Sequence, residues 1–113
     1  MSDKQIAWFE ANTDVLFASY SETTAARNEI VAAVAGKKIR VLSWTLNAAD
    51  GENDVTWESA TTALSGALEI ANNATAGASF GGGLFETAAG AALNTTQSAA
   101  TLVAGHITYV LII

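Results

Sequence analysis

Apolar and polar residues along this chain alternate in short runs and do not recur at helical spacing. The clearest run is IRVLSWTLN, residues 39–47, where Leu42, Trp44 and Leu46 share one face and Ile39 and Val41 begin the other. Apolar residues on both faces predict a strand inside a sheet. VTWESA (55–60) alternates, with Val55, Trp57 and Ser59 on one side and Thr56 and Glu58 on the other. DVLFASY (14–20), NEIVAAV (28–34), LFETAA (84–89) and AALNTTQ (91–97) read as further strands. ALSGALEIA (63–71) fits strand or helix by pattern, and Ser65 with Gly66 at its middle disfavours helix. SETTAARNEI has room for one helical turn. Turns are expected at AGKK, where Gly36 can take positive φ, at AADGEND (48–54), and over NNATAGASFGGG (72–83).

The last run, GHITYVLII (105–113), places Ile107, Tyr109, Leu111 and Ile113 on one face and Thr108, Val110 and Ile112 on the other. A strand apolar on both sides would template aggregation if it lay at an exposed edge. It is expected inside a sheet, with one face in the core and the other against a second layer or a neighbouring subunit. Together these runs predict an all-β fold: a single small β-sandwich of about eight antiparallel strands, jelly-roll-like. The sandwich is expected over residues 28–113, after an N-terminal segment or arm, residues 1–27.

Composition sharpens this picture. Among 113 residues, 50% are hydrophobic and only 14% charged, against roughly 25% charged in an average soluble domain. A chain so poor in charge is expected to bury surface against other copies or a larger assembly. The net charge is −6, and all five Lys and Arg lie at or before Arg40. That balance argues against direct nucleic-acid binding. The basic spot Lys37, Lys38 and Arg40 reads as a solvated turn edge. No apolar run approaches the roughly 18 residues of a membrane-spanning helix, and the first residues do not resemble a signal peptide. The chain is therefore expected to be made in the cytosol, where it stays or leaves inside a particle.

Candidate chemistry is sparse. With no cysteine and one histidine, His106, no thiolate or paired-histidine metal site is available. His106 reads as a packed or hydrogen-bonded structural residue. DGEND alternates Asp50, Glu52 and Asp54 like the start of a calcium loop but lacks its central Gly and closing Glu. It reads as a solvated turn. FGGGLF (80–85) has no Lys-Ser/Thr after its glycines and is not a phosphate loop. No serine lies in a nucleophile-elbow sequence. Glu69 and Glu86, the only acids after Ser59, are not selected as a pair by anything in the sequence. The expectation is a protein with no catalytic, cofactor-binding or metal residues. Its candidate partner contacts are aromatic: Trp8 and Phe9 in the N-terminal segment, which read either as a core flap or as an arm that docks on a partner, and Phe80 and Phe85 flanking the glycines.

The spacing of several segments resembles small β-sandwich virion proteins of tailed bacteriophages. A lysine-bearing turn leads into Ile39, Val41, Leu42 and Ser43. Val55, Trp57, Ser59, Thr62, Leu64 and Gly66 follow, then Phe85, Thr87, Gly90 and Leu93, and finally Val103, Gly105, His106 and Tyr109. The likeness covers residues 28–109 and departs from the pattern at Ala60, where Gly is expected, and at Ala91, where an acid is expected. What it implies is a non-enzymatic structural role on the outer capsid surface: a head decoration (cement) protein, made in the host cytoplasm, that assembles as a homo-oligomer, commonly a trimer, and binds the major capsid protein. The alternative within the same group is a fibre or receptor-binding module that attaches to host surface glycan.

Overall fold

Two antiparallel sheets face each other in the computed structural model, which describes residues 14–113. In chain order the strands are β1 (Leu16–Glu22), β2 (Arg27–Val31), β3 (Lys38–Ala48), β4 (Asn53–Ser59), β5 (Thr62–Ala63), β6 (Leu68–Ile70), β7 (Thr75–Ser79), β8 (Phe85–Glu86), β9 (Leu93–Gln97) and β10 (Val103–Ile112). One sheet runs β1-β10-β3-β7, with β8 also pairing with β3; the other runs β2-β9-β4-β5, with β6 also pairing with β4. The chain is thus an all-β sandwich, as its alternation predicts.

The core lies between the sheets. Ile39, Val41, Trp44, Leu46, Val103 and Ile107 from the first sheet meet Val31, Val55, Trp57, Ile70 and Leu93 from the second. Trp57 is fully buried, with its ring 5.8 Å from both Trp44 and Phe85 and 6.1 Å from Tyr20. Burying each large side chain of this kind is worth about 1.5–3 kcal/mol.

The final strand is interior: β10 pairs with β1 on one side and β3 on the other. Ile107 and Val110 are both fully buried and belong to opposite faces of the strand, so both faces are covered in part. Ile113 is 92% exposed, so the outermost of the terminal apolar residues contributes least.

Several expectations are corrected. On β3, Ile39 and Val41 share the core face with Trp44 and Leu46, because the register slips where Thr108 pairs with Ser43 but Tyr109 pairs with Val41. Leu42 is the extra residue of this bulge and reverses the alternation there. The two-sided pattern of β3 therefore reports a bulge. The stretch 63–71 is not one strand: it holds the end of β5 and the whole of β6, separated by residues 64–67, which include Ser65 and Gly66. The stretch read as a long turn contains β7, and SETTAARNEI forms no helical turn. The sandwich also starts ahead of Asn28, since β1 pairs with β10 along its whole length.

Several positions of the sequence pattern singled out above have structural duties. The backbone N–H of Ile39 donates to the Thr87 hydroxyl at 2.9 Å, and the N–H of Ala88 donates to the Ser59 hydroxyl at 2.9 Å. The second bond ties the segment after β8 to β4 of the opposite sheet. Gly90 has φ +75°, a conformation that L side chains rarely adopt. Ala60 has φ 51°, also left-handed, at the place where the pattern has Gly. Gly105 packs against the Thr45 carbonyl so closely that a Cβ would collide with it.

Candidate interaction surface

Phe80 follows β7, held in line with β3 by its N–H, which donates to the Leu42 carbonyl at 2.9 Å. Its side chain is 65% exposed. Phe85 lies on β8 opposite Val41 and packs into the core beside Trp57, so it belongs to the sandwich interior rather than to a free surface. The two aromatics flanking the glycines therefore have different roles. Trp8 and Phe9 lie outside the described residues.

The alternation also carries a contact candidate that the sequence reading passed over. Leu16, Ala18 and Tyr20 share one face of β1, which places Phe17 on the other, opposite Thr108. Phe17 is 76% exposed. Phe17 and Phe80 thus sit at the two opposite edges of the same sheet, on β1 and beside β7. The signal was the strict alternation of LFASY, in which one aromatic must face away from the core.

Among the described residues, Arg27, Lys38 and Arg40 are each paired with a carboxylate. Glu86 accepts from Arg40 at 3.0 Å and lies 3.5 Å from the Lys38 ammonium. Two of the three residues of the basic spot, Lys38 and Arg40, are therefore engaged by a carboxylate, and the hydrogen bond from Arg40 holds the Glu86 carboxyl below the usual range, against some opposing desolvation. On the outer face of the second sheet, Arg27 donates to both Glu58 oxygens at 3.0 and 3.3 Å, and the Thr96 hydroxyl adds a bond of 2.7 Å. The Arg27 bond is the main reason the Glu58 carboxyl is pushed down. Glu69 and Glu86 lie on different sheets and do not form a pair.

Among the described residues, Glu52, Asp54 and Glu69 bring one carboxylate oxygen each within 4.8 Å of one another. Asp54 and Glu69 are direct cross-strand partners, so like charges face each other across β4 and β6. These oxygens are the donor type that a hard cation takes. Asp50, the first acid of DGEND, is not in the group. His106 is exposed on β10, opposite Thr45 and Ser19, and is not the packed residue its sequence context suggests.

Between the sheets lies a small polar centre that the sequence reading did not anticipate. Tyr20, Thr95 and Gln97 are buried, with the Tyr20 oxygen 2.6 Å from the Thr95 hydroxyl and 2.8 Å from Gln97 Oε1. Since the Tyr20 proton goes to Gln97, Thr95 is the donor to Tyr20. Burial pushes the Tyr20 hydroxyl up to about 12, with the nearby Glu22 charge adding to the rise and the Thr95 bond opposing it. The Trp57 indole N–H is buried nearby, with no hydrogen-bond partner among the described residues.

No protein-family model matches this chain, and no curated protein or solved structure is significantly similar to it.

Proposed function

We propose that this chain is a structural virion protein of a tailed bacteriophage, a decoration protein that binds the outer surface of the head and reinforces it. It acts by burying surface and pairing backbone, without catalysis. The observation that carries this reading is a charge-poor sandwich presenting one exposed phenylalanine at each edge of the same sheet, Phe17 and Phe80. Exposed aromatics of this kind serve as interface anchors. The net charge of −6 with few free cations supports a protein partner, the major capsid protein, over nucleic acid. The low charge supports a homo-oligomer, and the sequence likeness supports a trimer.

The test is sedimentation of the purified protein with heads that lack it. Saturable co-sedimentation that weakens in a Phe17→Ala/Phe80→Ala variant supports the proposal. Heads that stay free of the protein at every concentration contradict it.

A further inference from the structure

Native sheets guard their edges with charges, bulges or very short strands. Among the described residues, three of the four sheet edges follow that rule. β2 carries Arg27 and Glu29 and a register slip, β5 and β6 have two and three residues, and β1 follows Asp14 and ends in Glu22. The fourth edge, β7, has none of these guards. It is five residues long, Thr75-Ala76-Gly77-Ala78-Ser79, and no charged residue lies between Glu69 and Glu86.

Its hydrogen-bonding phase is fixed by its neighbour. The Ala48 N–H donates to the Ala74 carbonyl, and the Phe80 N–H donates to the Leu42 carbonyl. Between those points the register runs without slip, pairing Leu46 with Ala76 and Trp44 with Ala78. Even-numbered residues of β7 thus turn their N–H and C=O toward β3, and Thr75, Gly77 and Ser79 turn theirs away. Among the described residues no strand takes up those outward groups.

The strand reads almost the same in both directions about Gly77. We propose that β7 pairs antiparallel with β7 of a second copy of this chain, about a two-fold axis through Gly77. Thr75 then lies opposite Ser79 of the second copy, and Gly77 opposite its own equivalent. All three outward positions meet outward positions, so each facing pair exchanges both of its N–H···O=C bonds. The Thr and Ser side chains form cross-strand pairs on one face. On the other face Ala76 meets Ala78, and the exposed Phe80 falls in line with Ala74 of the second copy. Charge favours this edge over any other. Two copies each carrying −6 repel, and β7 is where they can meet with no acid in the contact. By contrast, self-pairing of β1 about Ala18 would set Asp14 against Glu22.

A contact of this kind is isologous and closes on two copies. It adds a two-fold contact to the trimer of the proposed function and does not depend on it. Two strands of five residues bury little surface, so the association is weak and concentration-dependent.

Sedimentation velocity on three forms of the full chain tests this: the natural sequence, Thr75→Lys/Ser79→Lys, and Thr75→Lys/Ser79→Glu. All the changed side chains are exposed. In the proposed register the first variant sets Lys against Lys twice, and the second sets Lys against Glu twice. The natural chain should double in mass as concentration rises. The double-lysine variant should stay at the lower mass, and the Lys/Glu variant should double at lower concentration than the natural chain, with the gain lost in high salt. Equal behaviour of the two variants, or no doubling of the natural chain, overturns the pairing. Either outcome is independent of head binding, so failure here and failure of the decoration reading are separable.

Discussion

The Tyr20 hydroxyl donates to Gln97 Oε1 at 2.8 Å, joining an edge strand of one sheet to an interior strand of the other through the core. Thr95 completes the link, and Gln97 is anchored from its amide end by the Glu22 and Thr101 carbonyls at 3.4 Å. A buried polar bridge of this kind fixes how the two sheets sit on each other, because any slide would strand its donors and acceptors.

Tyr20→Phe keeps the ring and deletes the bridge. It should cost about 1–3 kcal/mol, the penalty for leaving buried polar groups unmatched. Urea unfolding of Tyr20→Phe beside an exposed control, Ser19→Ala, measures it. Equal midpoints for the two variants would show that the bridge contributes nothing.

Alkaline pH should act through the same residue. Tyr20 ionises at about 12 in the folded chain and near its ordinary value of about 10 when unfolded. Its stabilising contribution is complete below the unfolded value. It is lost as pH rises from there through the folded value, because only the unfolded chain then releases the proton. The loss should reach roughly 2–3 kcal/mol across that window. Thermal melts as a function of pH, compared with Tyr20→Phe, check this. The variant should lack that part of the decline.

Two glycine-pattern positions should respond with opposite sign. Ala60 holds φ 51°, so Ala60→Gly should relieve a left-handed backbone and stabilise by up to about 1 kcal/mol. Gly105→Ala forces a Cβ into the Thr45 carbonyl between two paired strands and should prevent normal folding. Melting temperatures of both variants decide the matter, and a melting temperature for Gly105→Ala equal to that of the natural chain would contradict the close approach.

How much of this was legible in the sequence differs by element. The alternation of VTWESA announced a strand and the two-sided apolar pattern of the final run announced an interior one, because large β-branched and aromatic residues announce burial. TAGAS did not announce β7, since its small residues carry no hydrophobic contrast and its place in the sheet is set by pairing to β3. The Leu42 bulge was hidden because a one-residue slip looks, in sequence, like a strand apolar on both sides. Nothing in AALNTTQ marked Thr95 and Gln97 as buried, because their partner Tyr20 is more than seventy residues away in sequence. As for the contacts, FGGGLF suggested two equivalent aromatics, and only packing separates exposed Phe80 from Phe85 in the core.

That separation is testable. Phe85→Ala should lower stability by about 3–5 kcal/mol at most, tempered by its partial burial, and leave the head-binding surface in place. Phe80→Ala should leave the melting temperature almost unchanged and weaken attachment to heads. Melting curves and head co-sedimentation on both variants check it. A Phe80→Ala variant that melts early and binds normally would assign Phe80 to the fold.

The proposed function places this chain on a phage head, and the most direct measurement is imaging of the virions it would belong to, with each copy bearing a small tag at its N-terminus. The account predicts tag density repeated over the whole head, on its outer surface, in numbers that follow the capsid lattice. Density confined to the tail would point to the fibre or attachment role, and virions without the chain would contradict a structural role in the particle.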